Sequence, residues 1–150
     1  AYLVTGSRDQ LVRLWDVGTQ ELAHIFEGHE NWVLSVDVSP DGEQISSGSA
    51  DGTIRVWNIE DGSSTIITPD GPENEVISIN SVRFSPDNRL IAAGLSDQSV
   101  RVWDATTQKR IITLNDHNTS VLSVAFSPDG KQLASASVDG MIRLWRVPQN

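Results

Sequence analysis

The chain has 150 residues, 38 % of them hydrophobic and 21 % charged, which excludes a disordered chain and leaves enough apolar material for one packed domain. Its net charge of −9 repels phosphate backbones and anionic lipid, which speaks against direct nucleic-acid or membrane-surface binding. It has no cysteine, so disulfide frameworks, thiolate zinc sites and thiol catalysis are excluded, and no apolar run approaches the roughly 20 residues of a membrane span.

In chain order, residues 2–7, 11–17 and 21–26 read as three short strands. In 33–38, Val33, Ser35 and Asp37 alternate with Leu34, Val36 and Val38, the period of a strand. Ser39-Pro-Asp-Gly42 then makes a tight reversal, with proline setting φ and glycine accepting positive φ. Strands at 44–49, 53–59 and 64–68 follow, separated by Asp51-Gly52 and Asp61-Gly62. The pattern then recurs, ending in strands at 121–127, 132–137 and 141–147. Turns about every ten residues, with β-branched residues between them, argue against helix. The count is 14 strands and the expected class is all-β.

The repeat is the main signal. Val33-Leu-Ser-Val-Asp-Val-Ser-Pro-Asp-Gly42, Asn80-Ser-Val-Arg-Phe-Ser-Pro-Asp-Asn88 and Val121-Leu-Ser-Val-Ala-Phe-Ser-Pro-Asp-Gly130 align. So do Arg13-Leu-Trp-Asp16, Arg55-Val-Trp-Asn58, Arg101-Val-Trp-Asp104 and Arg143-Leu-Trp-Arg146, with Trp spacings of 42, 46 and 42 residues. Each repeat gives up to four short strands, too little to form a core alone, so the repeats must stack face to face.

A repeat of this length, with Gly28-His29 before it, Asp51 in a turn and Trp57-Asn58 near its end, resembles the WD-repeat β-propeller family. Asp97 with Trp103-Asp104, then His117, Asp139 and Trp145, carry the resemblance onward, and the first repeat keeps Asp9 and Trp15-Asp16. The resemblance implies blades of four antiparallel strands, a to d from the channel outward. Residues 1–28 then form a partial blade (b-c-d), 29–73 and 74–116 two complete blades, and 117–150 a partial blade (a-b-c). That phase predicts an incomplete ring, the C-terminal part of a longer propeller, with self-association through the open ends as the rival arrangement. Leu90-Ile-Ala-Ala-Gly94 followed by Ser99-Val-Arg-Val-Trp-Asp104 is similar to the last blades of fungal-type transcriptional corepressors. It also resembles exosome-associated and bacterial WD proteins, so the sub-type stays open.

In the family, a His before strand a, a hydroxyl in strand b, the b–c turn Asp and the strand-c Trp form a hydrogen-bonded relay. The resemblance places it at His29, Ser49, Asp51 and Trp57, and at His117, Ser137, Asp139 and Trp145. A Ser-His-Asp set also suggests a hydrolase, but it recurs twice, its Ser lies inside a predicted sheet, the Trp can only donate, and no Gly-x-Ser-x-Gly elbow is present. The third blade lacks the His and carries Ala93 and Leu95 in place of Ser47 and Ser49, so it is expected to be the least tied at its top. Arg13, Arg55, Arg101 and Arg143 suggest packing and ion pairs between blades rather than a nucleic-acid stripe. Three His without a carboxylate cluster imply no metal, and no cofactor is expected.

In the family, partners dock on the face formed by the d–a and b–c loops. The matching positions are Trp32 and Leu34, Ser78 and Asn80, and Ser120 and Leu122, with the residue before each turn Asp: Arg8, Ala50, Ser96 and Val138. Trp32 stands out, because its equivalents are only Ser. Asp70, Glu73 and Glu75 add carboxylates nearby, so the expected partner is a protein or peptide with basic plus apolar character. The resemblance thus implies a non-catalytic interaction scaffold. A regulatory or sensor propeller on a larger signalling chain is the alternative, and a catalytic propeller the less favoured one. The expected compartment is cytoplasm or nucleus.

Overall fold

A computed structural model describes residues 1–148; the last two positions of the expected fourth blade, 149 and 150, lie outside the described residues. The described residues are all β, with no helix and hence none long and apolar enough to cross a membrane. Fourteen strands build four antiparallel meanders. Sheet I holds β1 (Tyr2–Gly6), β2 (Val12–Asp16) and β3 (Glu21–Phe26). Sheet II runs β4 (Val33–Val38), β5 (Gln44–Ser49), β6 (Ile54–Asn58) and β7 (Ser64–Ile67). Sheet III runs β8 (Ile79–Phe84), β9 (Leu90–Leu95), β10 (Val100–Asp104) and β11 (Arg110–Leu114), and sheet IV holds β12 (Val121–Phe126), β13 (Gln132–Ser137) and β14 (Ile142–Arg146). No closed ring forms among the described residues.

The turns form where the sequence carries Ser-Pro-Asp. Ser39 Oγ donates to Asp41 Oδ1 at 2.6 Å and accepts the Gln44 N–H at 2.8 Å, so one side chain closes the hairpin from inside. Ser85 and Ser127 repeat the arrangement with Asp87 and Asp129. The left-handed position is Gly42 in sheet II and Asn88, at φ +62°, in sheet III. Asn tolerates that region better than most L-residues.

Each core lies between sheets rather than within one. Val12, Leu14 and Phe26 of sheet I bury Trp57 and Ile45 of sheet II. Ile54 and Val56 of sheet II meet Trp103, Ile91 and Leu95 of sheet III. Val100 and Val102 of sheet III meet Leu133 and Trp145 of sheet IV. Each buried aliphatic side chain contributes about 1.5–3 kcal/mol, so these three seams hold the repeats together. The inner strands are also laced across the seams: Ser35 Oγ accepts the Val82 N–H at 3.1 Å, and Ser81 Oγ accepts the Val124 N–H at 3.2 Å.

Glycine in the second strand sets the spacing of the sheets. A Cβ on Gly48 would stand 2.6 Å from Ile79 Cγ2, and one on Gly94 would stand 2.6 Å from Val121 Cγ1. Any larger residue there must push the next sheet away, which makes Gly48→Val the single change most able to open the second seam.

Candidate functional site

The relay forms in sheets II and IV, but with a different serine from the one expected. Trp57 Nε1–H donates to Ser47 Oγ at 2.8 Å, and Ser47 donates to His29 Nε2 at 2.7 Å. His29 Nδ1–H then donates to Asp51 Oδ2 at 2.8 Å, a tautomer fixed because the carboxylate can only accept. His117, Asp139, Ser135 and Trp145 repeat the chain at 2.9, 2.7 and 2.9 Å. Ser49 and Ser137 are therefore corrected: neither is in the relay. The register explains it. Trp57 lies opposite Ile45, and the indole reaches two residues along β5 to Ser47, not four to Ser49. Ser49 instead donates to the Asn31 carbonyl and accepts the Asp51 N–H; Ser137 donates to Thr119 and Ser120 carbonyls.

Burial holds the His29 imidazole below its ordinary pKa, against the upward pull of Asp51. Burial pushes the Asp51 carboxyl up, but hydrogen bonds from Thr53, the Glu30 N–H and His29 outweigh it and hold it below the usual range. Asp139 is lowered in the same way, with burial opposed by His117 and by the Met141 and Asn118 N–H groups. Ser47 is fully buried and Ser135 nearly so, and each hydroxyl is committed to two partners, so no substrate reaches either as a nucleophile.

Sheets I and III solve the same problem without a histidine. In sheet I, Trp15 donates to Thr5 Oγ1 at 2.9 Å, a hydroxyl that the reading of the sequence missed although Thr5 stands four residues before Asp9, as Ser47 stands before Asp51. Asp9 is held by Arg13 at 2.6 Å, which lowers its pKa to about 2. In sheet III, Trp103 lies opposite Ile91, with Ala93 in the serine's place. There the buried Arg101 pairs with Asp97, receives Ser99 Oγ as an acceptor for its Nε–H at 3.0 Å, and donates to the Asp70 carbonyl at 2.6 Å. The third blade is thus not the loosely tied one: a guanidinium takes the place of the His. These ion pairs run four residues along one sheet, not between sheets as expected. Arg55 departs from the pattern and donates to the Gly28 carbonyl at 2.7 Å. Arg143 pairs with both Asp116 and Asp139.

The rim residues are brought to one end of the inner strands by a device the sequence did not show. In β4, β8 and β12 the ladder to the second strand shifts between Val33 and Ser35, Ile79 and Ser81, and Val121 and Ser123. The extra residues of these bulges are Leu34, Asn80 and Leu122, released from pairing at the rim. The residues before them are equivalent too: the carbonyls of Trp32, Ser78 and Ser120 accept the N–H groups of Ala50, Ser96 and Val138 at 2.9–3.1 Å.

Trp32 is 45 % exposed and lies beneath Arg8, whose guanidinium carbon is 4.5 Å from the ring centroid. Leu34 and Leu122 are exposed as well. Asn80 and Ser120 are tied to each other: Asn80 Nδ2 donates to Ser120 Oγ and to the Val121 carbonyl, both at 2.8 Å, and so bridges sheets III and IV. Ser78 donates its N–H to Ser96 Oγ. The loop between β7 and β8 lies beside the Asp51-Gly52 turn, with Val76 and Ile77 against Gly52. Asp70 in that loop pairs with Arg110 at 2.6 Å, whereas Glu73 and Glu75 have no ion-pair partner among the described residues. No group of three or more metal-ligating side chains is found among the described residues.

Stacked three- and four-stranded antiparallel meanders with a Trp at every seam define a propeller-type repeat protein. The chain belongs to the WD40 family: the model described as "WD domain, G-beta repeat" matches residues 1–16, 20–58, 64–104 and 108–146. It is similar to a guanine nucleotide-binding protein subunit beta of Oryza sativa subsp. indica, at 36 % identity over 53 % of this chain and 22 % of that protein. It is also similar to small ribosomal subunit protein RACK1y of Oryza sativa subsp. japonica, at 40 % identity over 40 % of this chain and 18 % of that protein. Ribosome assembly protein 4 of Saccharomyces cerevisiae is 51 % identical over 30 % of this chain and 9 % of its own length. The matched segments thus span about a fifth or less of these relatives.

Proposed function

We propose that the chain is a non-catalytic interaction module whose rim of inner-strand bulges and adjoining loops receives a partner protein or peptide. The observation that carries this reading is Trp32: a large aromatic, 45 % exposed at the rim, with the Arg8 guanidinium over its ring, where the equivalent residues are serines. A fixed, half-exposed aromatic beside an exposed leucine is the profile of an interface anchor. Leu34 and Leu122 extend the apolar surface, while Asn80, Ser78 and Ser120 hold the rim in shape through their own hydrogen bonds. The unpaired Glu73 and Glu75 favour a partner that sets Lys or Arg beside an apolar group.

Selection of displayed random peptides against the chain, followed by titration of the winners, tests this reading. The expected winners combine basic and aliphatic residues, bind more weakly as salt rises, and lose about 30-fold in affinity to Trp32→Ala, or about 2 kcal/mol. Peptides that are acidic, or that bind Trp32→Ala as well as wild type, would move the site off this rim.

A further inference from the structure

The chain holds four Ser/Thr-Pro pairs: Ser39-Pro40, Thr68-Pro69, Ser85-Pro86 and Ser127-Pro128. Three of them are closed. The hydroxyls of Ser39, Ser85 and Ser127 each donate to an Asp two residues on at 2.6 Å and accept a backbone N–H five residues on at 2.8–2.9 Å. Ser39 and Ser85 are buried as well. Thr68 is different. It follows the last residue of β7, is exposed, and its hydroxyl has no partner among the described residues. Residues 68–71 are neither strand nor turn, and a residue before proline is held to extended backbone. Those are the properties of a segment that can lie in another protein's active-site cleft. Proline adds selectivity, because it brings no N–H to the position after the acceptor. A cleft that is apolar there takes proline and leaves any other residue's amide without a partner.

A cation stands beside this hydroxyl, between the two four-stranded sheets. Thr68, Pro69 and Asp70 line a hollow of about 340 Å³ together with Gln108 and Arg110. Arg110 pairs there with Asp70 at 2.6 Å, and both side chains are exposed, so the pair contributes little to stability. The Asp70 main chain is held separately: its carbonyl accepts from the buried Arg101, whose own carboxylate is Asp97.

We propose that Thr68 is a phosphoryl acceptor for a proline-directed protein kinase, and that the phosphate it gains takes Arg110 from Asp70. In the transfer Thr68 Oγ1 bonds to the γ-phosphorus of ATP, the bond from that phosphorus to the β,γ-bridging oxygen breaks, ADP leaves, and the hydroxyl proton passes to the kinase's catalytic carboxylate. The new group carries about −1.5 to −2 charges at pH 7 and three acceptor oxygens, so it outcompetes a single exposed carboxylate for a guanidinium fork. Arg101 keeps its bond to the Asp70 carbonyl, which holds Thr68 beside Arg110 while the side chains exchange. Asp70 then joins Glu73 and Glu75 as a free carboxylate on the loop next to the rim. Resting on the rim reading above, the consequence is tighter capture of a basic peptide.

The folded chain is incubated with a proline-directed Ser/Thr kinase and Mg-ATP, beside a synthetic peptide of residues 62–74 as the control for kinase competence. Mass spectrometry is expected to find one phosphate, on Thr68, and none in Thr68→Val. A folded chain left unmodified while the peptide is modified, or phosphate on Ser39, Ser85 or Ser127 of the folded chain, overturns the proposal. Phosphorus NMR then reads the partner: the phosphate should titrate about 0.5 pH unit lower in the wild-type chain than in Arg110→Gln. Equal midpoints overturn the exchange at Arg110. Finally, a basic peptide selected on the rim should bind the phosphorylated chain about threefold tighter at low salt and equally at high salt. Unchanged binding at low salt, with the phosphate on Thr68 and the NMR shift present, would overturn the rim reading and leave the modification site standing.

Discussion

Sheets II and III are neighbours with the same strands, the same turn Asp and the same core Trp, yet they tie their tops in different ways. Sheet II uses neutral donors, Trp57 through Ser47 and His29, to reach the Asp51 carboxylate. Sheet III has neither Ser nor His, and Arg101 takes the carboxylate of Asp97 directly. The arginine is present in both sheets, so what differs is where it goes. With His29 on Asp51, Arg55 turns to the Gly28 carbonyl and lies over the Trp57 ring at 5.5 Å; a Cβ on Gly28 would stand 2.7 Å from its guanidinium. In sheet IV, Asp116 takes the place of Gly28, and Arg143 is drawn to it while still touching Asp139. The constant requirement is a compensated carboxylate at the b–c turn. The donor is interchangeable: where a His is present it takes the carboxylate, and the residue before the His receives the arginine.

The comparison breaks most sharply at the two carboxylates. Asp97→Ala leaves the Arg101 guanidinium buried without its counter-charge and is expected to cost about 3 kcal/mol. Asp51→Ala leaves His29 and the Thr53 hydroxyl without an acceptor but strands no permanent charge, so about 2 kcal/mol is expected. Denaturant melts at one fixed protein concentration measure both. If Asp51→Ala proves the more damaging, the guanidinium in sheet III is solvated rather than buried in effect, and the two sheets are not equivalent solutions.

A smaller effect sharpens the assignment of the serine. Ser47→Ala removes an acceptor from Trp57 and a donor from His29, both buried, and should cost about 1–2 kcal/mol. Ser49→Ala loses only bonds to the neighbouring backbone at the sheet's end and should cost about half as much. Equal losses in the same melts would return Ser49 to the relay.

The four-sheet plan was legible because its punctuation is local. Asp-Gly and Ser-Pro-Asp turns mark the strand ends, and the recurring Trp marks the third strand. The serine was not legible, because Ser47-Gly48-Ser49 and Ser135-Ala136-Ser137 each place two hydroxyls on one face of a strand. Only the pairing of Trp57 with Ile45 chooses between them. The third sheet's strength was hidden for a related reason: losing His and Ser reads as losing a network, while the turn that brings Arg101 back onto Asp97 appears only in three dimensions. The bulges at Leu34, Asn80 and Leu122 leave no mark in composition, since Leu, Asn and Leu share no property beyond their place. The rim positions come from family resemblance rather than from chemistry.

The smallest effect is one of pH, and it should separate sheet II from sheet III. Burial lowers the His29 pKa in the folded chain, so below about pH 6.5 the unfolded chain binds a proton there that the folded chain refuses. The unfolded state then holds more protons, so stability rises with pH through this window: His29 contributes fully above about 6.5 and its contribution falls away as the pH drops toward its lowered folded value. The lowered carboxylates Asp51 and Asp139 act the same way but in a separate, more acidic window below their ordinary range near 3.8. His29→Asn should therefore flatten the stability profile between pH 5 and 7 relative to wild type, by an amount under about 1 kcal/mol. Arg101→Lys should lower the whole profile without changing its slope there, since the fork of bonds to Asp97, Ser99 and Asp70 is lost while His29 is untouched. A wild-type profile that is flat from pH 5 to 7, or one that Arg101→Lys flattens as much as His29→Asn does, would show that the imidazole is not held neutral between Ser47 and Asp51.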